Sequence, residues 1–114
     1  MEKGVRLEVV FYREAFGSEP VREWLRALDR ASKKIIGEDI KTVQFGWPLG
    51  MPLVRSLGGG LWEVRSNLAN TTARIIFVAA KGKMILLHGF IKKTRATPPA
   101  ELALAKKRAA KVLR

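Results

Sequence analysis

Two short stretches carry the side chains best suited to chemistry. The first is a predicted hairpin, Leu61 to Asn67 followed by Thr72 to Ala79. Strand side chains alternate, so Leu61, Glu63 and Arg65 share one face while Trp62, Val64 and Ser66 share the other. In the second strand Arg74, Ile76 and Val78 oppose Ile75, Phe77 and Ala79. A turn centred near Asn70 pairs Arg65 with Arg74 directly across the ladder. Like charges in that position destabilise a sheet, so their presence points to an anion that they share. Two guanidinium forks on a rigid surface can hold phosphate oxygens bidentately. The competing reading is a surface salt-bridge patch in which Glu63 neutralises the pair.

The second stretch is His88-Gly89-Phe90-Ile91-Lys92-Lys93-Thr94-Arg95, at the end of the last predicted strand. Strand ends, and the loops after them, let side chains reach a ligand from a firm scaffold. His88 is the one histidine, the residue type best matched to acid–base work near neutrality; a structural role is the alternative. Lys92, Lys93 and Arg95 add charge beside it, and Phe90 shares its strand face. Rings and cations together suit RNA, whose unstacked bases stack on aromatics, although Phe90 fits a core position equally well. Lys106, Lys107 and Arg108, with Lys111 and Arg114, form a basic run that either tracks nucleic acid or is a solvated helix face.

These side chains need elements to position them. Arg6 to Tyr12 reads as a first strand, with Leu7, Val9 and Phe11 on one face and Glu8, Val10 and Tyr12 on the other. Ser18 is the expected cap of a helix whose stripe is Val21, Trp24, Leu25 and Leu28, ending near Asp29. A second helix over about Ala31 to Phe45 buries Ile36, Ile40 and Val43, until Gly46, Pro48, Gly50 and Pro52 end it. Leu53 to Leu57 then makes a short strand and Gly58 to Gly60 a turn; without a following Lys-Ser/Thr these glycines are no P-loop. The hairpin and a strand over Met84 to Phe90 complete an antiparallel meander. Thr97 is the expected cap of a final helix with Pro98 at its first position. Segregated helices and strands define an α+β class, with the helices expected on one sheet face.

With 114 residues, 47% of them apolar, the chain suits one domain spanning 1–114. The absence of cysteine excludes disulfides, thiolate metal sites and thiol nucleophiles, and one histidine disfavours a His-rich metal site. The formal charge is +12, and it is uneven. Residues 1–50 carry 9 basic and 8 acidic side chains, whereas 51–114 carry 13 basic ones against Glu63 and Glu101 alone. Clustering of that kind is the electrostatic footprint of a polyanion partner. No apolar run approaches bilayer length, and Met-Glu-Lys-Gly-Val has no signal-peptide core, so a soluble cytoplasmic protein is expected.

Several strings together carry a family resemblance: Gly60-Leu61-Trp62-Glu63-Val64-Arg65, Arg74-Ile75-Ile76-Phe77, Leu86-Leu87-His88-Gly89-Phe90-Ile91-Lys92-Lys93-Thr94 and Thr97-Pro98-Pro99-Ala100-Glu101-Leu102. From about Val5 to Arg108 the chain resembles the phage-derived, HigB-like branch of the RelE/ParE toxin superfamily. The resemblance implies a RelE-like fold: an antiparallel sheet, two N-terminal helices on one face, and a C-terminal helix. It also implies the toxin of a type II toxin–antitoxin pair, an endoribonuclease that cuts messenger RNA on the ribosome and is neutralised by a helix-turn-helix antitoxin. By position the catalytic work would fall to Arg65, Arg74, Lys92 and Lys93, with His88 a candidate base; the RNA contacts expected from the residues themselves are Phe90, Arg95, Lys106, Lys107 and Arg108. The RNA 2′-OH is itself the nucleophile, so neither a metal nor a cofactor is expected. A gyrase-directed toxin of the same superfamily and a non-catalytic RNA- or DNA-binding module are the alternatives.

Overall fold

The computed structural model describes residues 6–92 and 96–113. Its elements run β1 (Glu8–Phe11), α1 (Pro20–Arg26), α2 (Arg30–Gly46), β2 (Val54–Gly58), β3 (Leu61–Asn67), β4 (Thr72–Ala80), β5 (Lys83–Lys92) and α3 (Pro99–Val112). The result is a mixed α+β architecture: one five-stranded sheet, in the order β1-β5-β4-β3-β2, and three helices. β3 to β5 form the expected antiparallel meander and β2 extends it, antiparallel to β3, but β1 lies parallel to β5, so the sheet is mixed rather than antiparallel.

β1 and β2 occupy opposite edges of the sheet, so the chain between them must cross it. The two helices between them share the covering of one face: α1 packs on β5 and β1, and α2 packs on β3, burying Ile36, Ile40 and Val43 with Val64, Ile75 and Phe77. Trp47 follows the helix and stacks edge-on against Trp62 and Phe77, at 5.1 and 5.5 Å between centroids. α1 comes so close to β5 that a Cβ on Gly89 would meet the Trp24 ring at 2.5 Å.

α3 packs on the opposite face, contrary to the expectation of one helical layer. Its Ala105 and Ala109 are buried with Leu61, Ile76, Val78, Leu87, Phe90 and Tyr12 in a second core. Both faces of the central strands are consequently covered, which is why β4 is buried almost throughout. The expected alternation in β1 holds, with Leu7, Val9 and Phe11 in the first core and Tyr12 in the second.

Three helix boundaries differ from expectation. α1 begins at Pro20 behind Glu19, without a side-chain cap from Ser18, and ends at Arg26. Asp29, expected near the end of that helix, instead caps α2 by accepting from the Ser32 backbone N–H at 3.1 Å. Its carboxyl is held below the ordinary aspartate range by these Ser32 hydrogen bonds. At α3 the capping position is Pro98, and the Thr97 hydroxyl is used elsewhere.

Candidate anion-binding site

Strand register builds the site as rows of side chains on the α3 face. Arg65, Arg74 and Phe90 are cross-strand neighbours on β3, β4 and β5. One step along lies the row Asn67, Thr72 and Lys92; one step back lies Arg55, Glu63, Ile76 and His88. Neighbours within a row are about 5 Å apart and successive rows about 7 Å apart. The expected pairing of Arg65 with Arg74 is present, and three strands, β2, β3 and β4, bring three arginines around the Glu63 carboxylate.

That carboxylate divides the arginines into two environments. Glu63 is 0% exposed and Arg74 only 1%, and Glu63 Oε1 accepts from Arg74 Nη1 at 3.5 Å. The neutralisation weighed for the sequence thus occurs at Arg74, in the interior rather than as a surface patch. The second carboxylate oxygen accepts from the Thr97 hydroxyl at 2.7 Å, tying the approach to α3 across the pair. Burial lowers the pKa of Arg74, Glu63 opposes that shift, and the nearby charges of Arg65 and Arg55 reinforce it. Arg74 therefore contributes charge from beneath the surface; it is not placed for direct contact with a ligand.

Arg65 is different. It is half-buried, its Nη1 lies 3.9 Å from Met51 Sδ, and its buried Nε has no hydrogen-bond partner among the described residues. It borders a depression of about 290 Å³ with Asp39, Pro52, Leu53 and Asn67. Asn67 also borders a second depression of about 460 Å³, at the β3–β4 turn, which Lys92 lines. Asn67 is common to the two depressions, with Arg65 lining the first and Lys92 the second.

His88 Nε2 lies 2.5 Å from Glu101 Oε1 on α3, which makes Nε2 the proton-bearing nitrogen in the neutral ring and leaves Nδ1 as its acceptor. The ring stacks on Phe90 at 5.5 Å, and Phe90 is 6% exposed, so its core reading is realised. Arg108, expected to meet RNA, turns inward: Nη1 donates to the Leu87 carbonyl at 2.8 Å, Nη2 pairs with Glu14 at 3.5 Å, and the guanidinium lies over Tyr12. It is a clasp between α3, β5 and the loop after β1. Lys106 and Lys107 are exposed on α3. Lys93 and Arg95 lie outside the described residues.

Sequence reasoning missed Arg55, Thr97 and Glu101 as members of this cluster. Alternation in β2 places Arg55 on the face opposite Val54, but its neighbour Glu63 depends on a register shift beside Gly58 that spacing does not reveal. Among the described residues no group of three His, Cys, Asp or Glu side chains is placed to hold a metal ion. No helix among them is long and apolar enough to cross a membrane.

Fold and site together define a small α+β domain with a cationic sheet face half covered by a C-terminal helix. The chain belongs to the phage-derived Gp49-like protein family (DUF891), whose family model matches residues 23–110. A search of curated proteins found no match.

Proposed function

We propose that this protein is the toxin of a type II toxin–antitoxin pair and an endoribonuclease acting on messenger RNA at the ribosome. Family membership supports the toxin role, and one structural observation carries the chemistry. The cross-strand arginines Arg65 and Arg74, with Arg55 beside them, exceed the charge of Glu63 and create a positive field on a rigid sheet. RNA supplies its own nucleophile. Attack of a 2′-OH on the adjacent phosphate forms a 2′,3′-cyclic phosphate and releases the 5′-oxygen, which takes up a proton. The enzyme must align these atoms and stabilise the charged phosphorane.

In this reading Arg65 and Lys92 hold the non-bridging oxygens from the two depressions that share Asn67. Arg74 is a positioning residue that sustains the field from below. His88, with Nε2 fixed by Glu101, presents Nδ1 as base, and Lys93 serves the leaving oxygen. Phe90 orients the His88 ring. Lys106, Lys107 and Arg95 extend the track for the RNA backbone. The partners are messenger RNA, the ribosome and a helix-turn-helix antitoxin whose docking hides part of the charge. The fold reading that accompanies this is RelE-like.

The sealed position of Arg74 favours one second reading, a non-catalytic nucleic-acid-binding module. Expression of the protein alone separates the two. Growth arrest that disappears in both Arg65→Ala and Lys92→Ala, with folding intact, is expected of the toxin. Unimpaired growth with salt-sensitive RNA binding supports the module.

A further inference from the structure

Met51 stands out because its sulfur, a weak acceptor, lies 3.9 Å from Arg65 Nη1. It is 60% exposed, whereas Met84 is 0% exposed, so among the described residues Met51 is the one methionine that an oxidant in solvent reaches readily. Arg65 is an unusual neighbour for a thioether. Its buried Nε has no hydrogen-bond partner among the described residues, and no carboxylate among them pairs with it.

We propose that Met51 is an oxidative modification site that controls the access of phosphate to Arg65. A hydroperoxide is the co-reactant. The thioether sulfur attacks the terminal peroxide oxygen, the O–O bond breaks, an S–O bond forms, and water or an alcohol leaves. Sulfur is oxidised by two electrons and the peroxide is reduced by two. The sulfoxide oxygen is a strong acceptor on a side chain already seated against the guanidinium, and it takes the hydrogen bond that Nη1 otherwise offers to an anion. A phosphate must then displace it. The effect is reversible, because methionine sulfoxide is reducible by sulfoxide reductases.

The proposal rests on the reading of Arg65 as a phosphate-holding residue, and its test keeps the two apart. Purified protein is treated with hydrogen peroxide and the added oxygen is located by peptide mass mapping. Binding of a fluorescent single-stranded RNA oligonucleotide is followed by anisotropy, and the Arg65 side-chain N–H resonances by NMR. Expected is oxidation at Met51 before Met84, a displaced Arg65 resonance, and affinity weaker by about tenfold, equivalent to about 1.4 kcal/mol. Met51→Leu treated identically should show neither change, and Met51→Gln, with an amide oxygen in reach, should imitate the oxidised protein. Complete oxidation of Met51 with an unmoved Arg65 resonance overturns the inference. So does equal loss of affinity in Met51→Leu. If the untreated protein does not bind RNA, the functional reading fails while the resonance shift still decides the contact.

Discussion

Neutralising Glu63 by Glu63→Gln tests whether the buried pair is the foundation of the basic face. The substitution keeps the shape of the side chain and an oxygen for the Thr97 hydroxyl, and removes only the charge. At the observed separation of 3.5 Å the gross attraction to Arg74 is about 5 kcal/mol for an effective dielectric of about 20. Relief of the carboxylate's own desolvation returns part of this, leaving a net loss of about 3 kcal/mol. A domain of this size has about 5–15 kcal/mol of stability in total, and the expected fall in Tm is roughly 10 °C. The loss is large because Arg74, 1% exposed, keeps a charge that solvent cannot reach, with Arg65 and Arg55 repelling it. Urea denaturation measures the change, and a double-mutant cycle with Arg74→Met isolates the pair. A coupling of about 2–3 kcal/mol is expected, with the double variant more stable than Glu63→Gln alone. A loss below about 0.5 kcal/mol, or coupling within error of zero, would falsify the account of Glu63 as the counter-charge of this face.

Three further outcomes are expected. Gly89→Ala drives a methyl into the Trp24 ring and should cost about 1–3 kcal/mol in urea denaturation, with partial rescue by Trp24→Leu. Tyr12, the one tyrosine, has its pKa raised by burial and then by its hydrogen bond to Glu14. Because the folded value exceeds the unfolded one, its contribution is complete below the unfolded pKa of about 10 and is lost as pH rises through the folded value. Tyr12→Phe should flatten the alkaline fall in stability, and ultraviolet titration of the single phenol should show the late ionisation. Arg108→Met should lower stability by about 1–3 kcal/mol through its lost bonds to Leu87 and Glu14, while leaving the salt dependence of RNA binding intact. Lys106→Ala with Lys107→Ala should do the reverse, reducing the slope against salt by about one to two.

Much of the site is legible wherever its geometry is local. The Arg65–Arg74 register follows from a short turn between two alternating strands, and the buried stripe of α2 follows from helical spacing. Two elements of the fold are not local. β1 joins β5 across more than seventy residues, and nothing near Glu8–Phe11 announces a parallel neighbour. The apolar stripe of α3 shows that it packs, but its small residues Ala105 and Ala109 do not say on which face. The same limit explains Arg74. Alternation assigns it a face, whereas its burial depends on Thr97 and α3 arriving over Glu63 from far along the chain. Ser18 and Thr97 are good capping types in the right places, yet neither caps, because Pro20 and Pro99 already set the first turns without side-chain help.

The central claim, RNA cleavage that depends on the sheet arginines, is tested most directly by mapping transcript ends in cells after brief induction of the protein without an antitoxin. The account predicts new internal ends in translated messages, with cyclic phosphate on the upstream fragment and 5′-hydroxyl on the downstream one, absent in Arg65→Ala at equal protein level. Growth arrest without new RNA ends, or the same ends at the same abundance in Arg65→Ala, would contradict it.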